Sequence, residues 1–545
     1  MENDPLWYKN AIFYEVYIRA FHDSNGDGHG DIRGLTQKLD YLQDLGVDCL
    51  WLMPIYTSPL KDDGYDIADF YGMLDEYGTL DDLKELLVTA HAKGMRVITD
   101  LVLNHTSNQH EWFRQARSSR DNPFRDYYVW SDTDQKYKDA RIIFVDTQES
   151  NWTWEPGSKQ YYWHRFYESQ PDLNYDNPAV QQEMLNVVKF WADLGVDGFR
   201  ADAVPYLFER DGTNCENLPE THAYLKRLRR FMDENYPGKI LLCEANQWPE
   251  DVRPYFGDGD EFHMGFHFPV MPRIYMALRQ EDKGPLEWIL KRTPPIPSNC
   301  QWCVFLRNHD ELTLEMVTEE ERQWMWQQYA PAPRMRLNLG IRRRLAPLLD
   351  NDRRKIELAN SLLFTLPGSP IIYYGDEIGM GDDILMPDRN GVRTPMQWED
   401  RPGAGFSRAR EGMFYAPVIQ SGPFGFHRVN VAAQRADPNS LWQAIRRMIQ
   451  LRKAHPALGW GDFALAETGS QAIAAYWRRN PQERLLVVHN LSESDQNAQI
   501  PMPGEVGTSA QDVLADKALF RAQNERLELH LHPYQSLWLS VGNLP

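Results

Sequence analysis

Four short segments of the chain each join an apolar run to charged or imidazole side chains. They are residues 100–105, 198–203, 241–245 and 305–310. Each apolar run is typical of a short buried strand, so its polar residues would stand at the end of that strand. Four such ends in one chain indicate strands that bring carboxylates and imidazoles to a common rim, as in the active sites of (β/α)8 barrels.

Two carboxylates of these segments could form the nucleophile and proton donor that glycoside chemistry requires. Arg200 lies two residues before Asp202 and would keep that carboxylate ionised. Glu244 follows an apolar run, where burial would raise its pKa toward that of a useful acid. Three further side chains could hold hydroxyls and stabilise positive charge at an anomeric carbon: His105, His309 and Asp310. Any one of these residues could instead belong to an ion pair at a strand end, but their joint occurrence favours catalysis.

Residues 23–31 alternate oxygen-bearing side chains with glycines. Oxygen donors on a tight, glycine-containing turn suit a hard cation such as Ca²⁺. The segment is not an EF-hand, because Gly34 stands where a bidentate glutamate would be needed. An acidic, glycine-rich turn without a metal is the alternative interpretation.

The segments that would position these groups alternate between strand and helix patterns. Strands are predicted over residues 12–17, 49–53 and 96–101, and helices over 35–45 and 80–93. Strands and helices that alternate through short loops predict a parallel α/β sheet.

This alternation breaks over residues 106–177, which are rich in Trp, Tyr, Asn, Asp and Gln and too long for a βα loop. The sequence therefore predicts an inserted subdomain between barrel residues 1–105 and 178–457. The second part begins with a helix over 178–194 and contains a charged, helical excursion over 312–351. Short apolar runs between turns predict a β domain over 458–545. The predicted fold class is α/β: a (β/α)8 TIM barrel with an inserted subdomain after strand 3 and a C-terminal antiparallel β domain.

Composition limits the classes of partner. The 545 residues exceed a single ordinary core, and a formal net charge of −20 argues against nucleic acid or an anionic membrane as the main partner. No signal peptide or membrane span is visible, and five scattered cysteines suit a reducing compartment, so a cytoplasmic protein is expected. Cys300 and Cys303 have the spacing of a metal or redox pair, but no second pair completes a zinc site. The sequence leaves the oligomeric state open, a homo-oligomer included.

Over nearly its whole length the chain resembles glycoside hydrolase family 13, the α-amylase family. The four segments described first are similar to the four signature regions of that family. The resemblance implies that Asp202 is the nucleophile, Glu244 the acid/base and Asp310 the transition-state stabiliser. It also implies that three neighbours of these residues bind the sugar: Arg200, His105 and His309.

Residues 170–174 resemble the fifth region of the oligo-1,6-glucosidase branch, which adds Gln170 to the expected substrate-binding residues. In that branch, positions matching Asp62 and Tyr65 hold a terminal glucose. The small Ala203 after the nucleophile favours an α-1,4 bond. The acidic loop is similar to one that holds structural calcium in related glucosidases, which implies these ligands: Asp23, Asn25, Asp27, the carbonyl of His29, and Asp31.

Several stretches outside the shared core resemble the branch of the family that interconverts maltose and trehalose. They are residues 244–249, 265–273, 336–342 and 388–398. The resemblance implies a disaccharide substrate and reversible isomerisation of maltose to trehalose by a retaining double displacement, with minor hydrolysis to glucose. A hydrolytic α-glucosidase with α-1,4 preference is the alternative, since it would share every catalytic residue. A non-catalytic, membrane-anchored member of the fold is disfavoured because the carboxylate set is present.

An isomerase needs a pocket that excludes water yet leaves the second glucose room to turn. Arg393 and Asp62 are expected to bridge the mouth of that pocket. Phe144 and Phe166 of the inserted subdomain could form stacking walls, with the core of the subdomain as their alternative place. Three residues on adjacent loops could help to close the pocket or could be surface polar groups: Tyr206, Glu311 and Glu315.

Overall fold

Eight parallel strands close into a barrel in which each strand pairs with the next one along the chain. The computed structural model describes residues 4–502, 508–515 and 518–542. The barrel strands are β1 (Phe13–Val16), β2 (Cys49–Leu52), β3 (Arg96–Val102), β4 (Gly198–Asp202), β5 (Ile240–Cys243), β6 (Met264–Phe266), β7 (Gln301–Phe305) and β8 (Ser369–Tyr373). Strand β8 pairs with β1 and completes the ring, which confirms the predicted barrel.

Nearly every residue of the barrel strands is buried, because helices cover the outside of the barrel and side chains fill its interior. Before the inserted subdomain these helices are Ile18–Phe21, Ile32–Gln37, Leu39–Leu45 and Leu80–Ala92. After it they are Pro178–Leu194, Pro219–Asn235, Pro249–Val252, Val270–Gln280, Gly284–Arg292, Arg353–Thr365, Val431–Ala436, Leu441–Ala454 and Ala457–Trp460.

Helix Pro178–Leu194 has the bounds that its sequence predicts. The Asn177 side chain accepts a hydrogen bond from the Ala179 N–H, and Gly195 ends the helix in the left-handed region at φ 114°. The single helix predicted over 35–45 is wrong. Two helices meet there at Lys38, which lies outside both of them.

The chain leaves the barrel after β3 and forms the inserted subdomain. This region contains helix Glu111–Ser118 and a three-stranded antiparallel sheet. The strands of that sheet, in spatial order, are Trp130–Ser131, Gln160–Trp163 and Trp152–Glu155. The sequence pattern does not reveal the helix, because eight residues are about two turns and give little periodicity.

The excursion predicted as helical over 312–351 is helical only in part. Helix Glu319–Tyr329 begins with a capping box formed by Thr318 and Glu321, and Leu345–Leu348 is a short second helix. A small antiparallel sheet accompanies them, formed by Leu312–Thr313, Arg336–Leu337 and Gly340–Ile341. Strands of two residues are too short to show an alternating pattern, so this sheet is not apparent from the sequence.

Antiparallel strands form the C-terminal domain, as predicted. The strands are β9 (Asp462–Leu465), β10 (Ile473–Arg479), β11 (Arg484–Asn490), β12 (Gln496–Pro501), β13 (Ser509–Asp512), β14 (Leu519–Arg521), β15 (Arg526–Leu531) and β16 (Ser536–Gly542). Six of them form a sheet in the order β9-β10-β11-β16-β13-β14, and β12 pairs with β15 alone. The Trp538 indole N–H donates to the Ser361 hydroxyl at 2.7 Å and so joins this domain to a barrel helix.

All five cysteines are buried and free, Cys300 and Cys303 included. Burial raises the pKa of the Cys303 thiol well above its usual range, so this thiol stays protonated and unreactive. Within the described ranges, no helix combines the length and the apolar character needed to cross a bilayer.

Candidate active site

A cavity of about 910 Å³, counting its opening, lies at the carboxyl ends of the barrel strands. Its lining includes eight of the residues predicted to act in catalysis or substrate binding: Asp62, Tyr65, His105, Phe144, Phe166, Asp202, Glu244 and Asp310. Four more predicted residues lie behind this lining, and each contacts at least one lining residue: Gln170, Arg200, His309 and Arg393. The barrel therefore gathers all twelve into one site.

Arg200 is the centre of the charged network at the floor of the cavity. Its Nη1 lies 2.7 Å from Asp202 Oδ1 and 2.5 Å from Asp100 Oδ1, and its Nη2 contacts the Glu244 carboxyl group. This guanidinium is 1% exposed, so its charge acts on the three carboxyls with little screening. The strand register explains the grouping, because Asp100 on β3 lies beside Arg200 on β4.

Asp202 and Glu244 contact the two terminal nitrogens of one guanidinium, that of Arg200, so their carboxyl groups lie side by side. Inverting glycosidases hold their two carboxyls about 6.5–9.5 Å apart to admit a water, whereas retaining enzymes hold them at about 5–5.5 Å. Two carboxyls held side by side on one guanidinium leave little room for that water. The geometry therefore supports attack by a carboxylate and retention of configuration.

The two carboxyl groups have different proton affinities. Burial raises the pKa of Asp202 to about 6, against the opposing effect of the Arg200 charge. Burial raises the pKa of Glu244 further, to about 8, and the negative charge of Asp202 adds to that rise. At neutral pH Asp202 is ionised and Glu244 carries a proton, which are the states that a nucleophile and an acid need.

Asp310 is held as a carboxylate. Burial alone would raise its pKa, but the positive charges of Arg389 and Arg393 hold the pKa well below its usual range. Two arginine contacts converge on one oxygen, with Arg389 Nη1 at 2.9 Å and Arg393 Nη2 at 3.1 Å from Oδ1. A fixed negative charge beside the nucleophile can stabilise positive charge on a sugar ring.

His309 and His105 are neutral donors or acceptors. Burial lowers the pKa of His309 well below its usual range, and its Nδ1 lies 2.5 Å from a Glu15 oxygen. Its Nε2 lies 2.9 Å from the Tyr65 hydroxyl and so holds that lining residue. Burial lowers the pKa of His105 to about 3, and His105 Nε2 has no protein partner among the described residues, which leaves it free for a hydroxyl.

Asp62 is fixed by Arg389, which the sequence analysis did not single out. Arg389 Nη2 lies 3.0 Å from Asp62 Oδ1, and Gln170 Nε2 lies 2.8 Å from Oδ2. The prediction that Arg393 bridges to Asp62 is therefore wrong. Arg393 instead pairs with Asp63 and donates to the His309 carbonyl, because the intervening turn points the two arginines differently.

Phe144 and Phe166 form an aromatic wall of the cavity. Their ring centroids are 5.5 Å apart, and Phe144 also packs at 4.6 Å against Tyr167. Phe166 lies 5.2 Å from the His105 ring and 5.8 Å from the Tyr206 ring. Both phenylalanines face the cavity rather than the core of the inserted subdomain.

The inserted subdomain is tied across the cavity by Arg141, a second arginine that the sequence analysis missed. Arg141 Nη1 lies 2.5 Å from Glu315 Oε2, its Nε lies 2.9 Å from Glu216 Oε1, and its Nη2 donates to the Tyr206 hydroxyl at 3.2 Å. The loop that bears Arg141 has no periodic pattern, so no sequence signal distinguishes this residue. Glu311 and Glu315 line the cavity, together with the unpredicted residues Asn246, Thr313 and Asn338.

Ala203 turns the chain sharply after the nucleophile. It adopts a left-handed conformation at φ 52°, which is strained for a residue with a Cβ atom. In this conformation its backbone N–H donates to Glu244 Oε2 at 3.3 Å. The turn therefore connects the two catalytic carboxyls through the backbone.

The predicted calcium loop lies after β1, away from the cavity lining. Gly28, at φ 97°, is needed there, since a Cβ atom would meet the Met413 carbonyl oxygen at 2.2 Å. Asp23 accepts hydrogen bonds from the Gly26 and Gly28 N–H groups, and Asp31 accepts one from Gly34 at the start of the next helix. The set of hard oxygen donors suits Ca²⁺. In the described structure, however, the three aspartates of the loop do not all bring an oxygen within 4.8 Å of one another.

Comparison with known proteins agrees with the geometry of the site. Residues 15–461 match the family described as alpha amylase, catalytic domain, and residues 473–537 match the alpha-amylase SusG C-terminal domain. The chain is 58% identical, over 91% of its length and 86% of the relative, to a protein of Mycolicibacterium smegmatis named trehalose synthase/amylase. It is 31% identical to an oligo-1,6-glucosidase of Parageobacillus thermoglucosidasius, over 98% of both chains.

The trehalulose synthase of Pseudomonas mesoacidophila has a similar structure. The TM-score is 0.78 at 28% identity, and the match covers 98% of this chain and 99% of that one. The family match extends over most of the chain and includes Asp202, Glu244 and Asp310. The chain belongs to the α-amylase family.

Proposed function

We propose that this protein isomerises maltose to trehalose reversibly through a glucosyl ester on Asp202, with minor hydrolysis to glucose. Its relatives in Mycolicibacterium smegmatis and Pimelobacter, at 58% and 56% identity, bear the names trehalose synthase/amylase and trehalose synthase. The catalytic geometry supports a retaining reaction, and the enclosure of the cavity supports transfer to a retained sugar. No phosphate or nucleotide is needed, since one glycosidic bond replaces another.

In the first half of the reaction the non-reducing glucose of maltose occupies the end of the pocket near Asp62 and Tyr65. The ionised Asp202 attacks the anomeric carbon, and the bond from that carbon to the 4-oxygen of the second glucose breaks. The proton of Glu244 passes to the departing oxygen, so free glucose and a glucosyl ester result. Asp310 stabilises the positive charge that develops on the ring.

In the second half the freed glucose turns within the pocket and presents its anomeric hydroxyl. Glu244, now a carboxylate, takes the proton of that hydroxyl while the hydroxyl oxygen attacks the anomeric carbon of the glucosyl ester. The bond to Asp202 breaks, and two inversions give net retention. Attack by water at this stage would release a second glucose instead.

The observation that favours an isomerase over a hydrolase is the enclosure of the cavity by arginines from two sides. Arg141 ties the inserted subdomain to Glu315 of the excursion. Arg389 joins Asp62 to Asp310. A pocket held by ion pairs from separate loops can exclude water while the glucose turns.

Product analysis tests this proposal directly. Incubation of the protein with maltose should give mainly trehalose, incubation with trehalose should give maltose, and glucose should be a minor product of both. Labelled glucose added to the maltose reaction should enter trehalose only slightly, because the glucose turns without leaving. Release of glucose as the only product would assign the chain to the hydrolytic α-glucosidases.

The proposal also includes a structural metal ion and a cellular compartment. The loop of residues 23–31 would hold a structural Ca²⁺ ion through Asp23, Asn25, Asp27, the His29 carbonyl and Asp31, remote from the substrate. A reducing compartment such as the cytoplasm suits five cysteines that are all buried and free.

A further inference from the structure

The two-stranded sheet of the C-terminal domain presents two imidazoles and one carboxylate on its outer face. His530 lies near the end of β15 and His532 follows that strand, with the buried Leu531 between them. The alternation of the strand continues past its last residue, since His530 and His532 are both exposed and Leu531 is buried, so both imidazoles face solvent. Asp495 precedes β12, the partner strand, and therefore lies at the same end of the sheet.

The three side chains are close enough to bind one ion. His532 Nδ1 lies 3.1 Å and His530 Nε2 lies 4.0 Å from the same oxygen of Asp495, and all three atoms fall within 4.8 Å of one another. Ligands at about 2.0–2.1 Å from a tetrahedral metal are about 3.3–3.4 Å apart. Small rotations of these exposed side chains would change the observed distances of 3.1 and 4.0 Å to that spacing.

A fourth side chain orients one of the imidazoles. Asn497 lies opposite His530 in the β12–β15 ladder, and its Oδ1 is 3.0 Å from His530 Nδ1. This hydrogen bond places the proton on Nδ1 and leaves the Nε2 lone pair directed toward Asp495. Imidazoles that bind metals are commonly held in this way through their other nitrogen.

We propose that His530, His532 and Asp495 form a surface site for a borderline divalent transition-metal ion of the Zn²⁺, Co²⁺ and Ni²⁺ class. Two imidazoles and one carboxylate suit these ions, whereas Ca²⁺ and Mg²⁺ prefer oxygen ligands alone. Three protein ligands leave at least one position for water. The ion would join the ends of β12 and β15. This site does not depend on the proposed function.

Zinc titration of the full chain tests the site. Isothermal titration calorimetry, in a buffer that contains Ca²⁺, should detect binding of Zn²⁺ to the parent protein. The affinity for Zn²⁺ should be at least ten-fold lower in His530→Gln, and at least ten-fold lower in His532→Gln, than in the parent. Asn497→Ala should weaken binding less than either, because it removes only the orienting bond. Cobalt(II) should give visible absorption bands in the parent protein that both histidine variants lose.

His427→Gln is the matched control, since His427 is an exposed histidine that also contacts an aspartate, Asp400, but has no second imidazole in that cluster. It should bind Zn²⁺ as the parent does. The proposal is overturned if His530→Gln/His532→Gln binds Zn²⁺ as tightly as the parent, or if the parent binds none at millimolar Zn²⁺. Circular dichroism would establish that each surface variant is folded.

Discussion

The guanidinium of Arg389 is paired with the carboxylate of Asp62, with Nη2 3.0 Å from Oδ1. Burial raises the pKa of Asp62 to about 7, and the charge of Arg389 opposes that rise. Without Arg389, Asp62 would keep Gln170 as its partner but would take up a proton more readily. One arginine thus maintains the charge of the group expected to hold the terminal glucose and also contacts Asp310.

Replacement of this arginine should affect both affinity and product choice. Arg389→Gln should lower kcat/KM for maltose by about 10²-fold or more, because it leaves buried carboxylates without their partner. It should also increase the glucose released per trehalose formed, since one side of the enclosure is lost. Product ratios from maltose provide the measurement. Arg230→Gln, at an exposed arginine, is the control, and an unchanged product ratio in Arg389→Gln would contradict the prediction.

The pKa values of the two catalytic carboxyls predict a bell-shaped pH dependence. Asp202 must be ionised, so kcat/KM should fall as the pH drops through about 6. Glu244 must be protonated for the first half of the reaction, so kcat/KM should fall as the pH rises through about 8. Initial rates of trehalose formation from dilute maltose, measured at constant ionic strength, would give both limbs. Activity that stays constant from pH 5 to pH 9 would show that these assignments are wrong.

The roles of the two carboxyls can be separated with a substrate whose leaving group needs no proton. Asp202→Asn should lose more than about 10³-fold in kcat on both maltose and α-glucosyl fluoride, because no ester can form. Glu244→Gln should lose a similar factor on maltose but keep much of its initial cleavage of α-glucosyl fluoride, since fluoride departs without a proton. Fluoride release measured with an electrode distinguishes the two. Equal losses of both variants on both substrates would argue against the separate roles.

The tie across the cavity should control hydrolysis. Arg141→Gln and Glu315→Gln should each increase the share of glucose among the products, because each breaks the Arg141–Glu315 ion pair between the inserted subdomain and the excursion. The double variant should release little more glucose than either single variant, since both remove the same ion pair. Glu320→Gln, an exposed position on the same excursion, serves as the control. Additive effects of the two changes would show that they act separately.

Removal of calcium should lower the thermal stability of the protein before it lowers the catalytic rate. Treatment with a calcium chelator should reduce the Tm, while kcat at moderate temperature should change little, because the loop lies away from the cavity lining. Asp27→Asn should reduce the Tm of the calcium-loaded protein and weaken its response to the chelator. Differential scanning calorimetry with and without added Ca²⁺ provides the measurement. A Tm that is insensitive to chelator and to added calcium would exclude the ion.

The sequence alone predicted the positions of residues that lie at the ends of regular strands and helices. Asp202 and Glu244 follow apolar strands, so a parallel barrel must bring them to one rim. Helix Pro178–Leu194 could be predicted because Asn177 and Gly195 mark its ends. Arg389 and Arg393 could not be assigned in this way, since they flank a short irregular turn whose direction no periodic pattern records.

Tertiary contacts between separate loops also escape sequence reasoning. Arg141 acts through Glu216 and Glu315, which are about 75 and 174 positions away along the chain. The two-residue strands of the excursion form only because their partners are brought together by the fold. The predicted site was therefore most complete at strand ends and least complete in the loops that cover it.

Asp202 and Glu244 lie side by side on Arg200, so a change of charge on one changes the proton affinity of the other. The negative charge of Asp202 helps to raise the pKa of Glu244, so it favours the protonated acid before the reaction. Once Asp202 becomes a neutral ester that contribution disappears, while the Arg200 cation remains beside Glu244. The proton affinity of Glu244 then falls at the moment when the residue must act as a base. Formation of the ester at Asp202 thus lowers the pKa of Glu244 by removing a neighbouring negative charge.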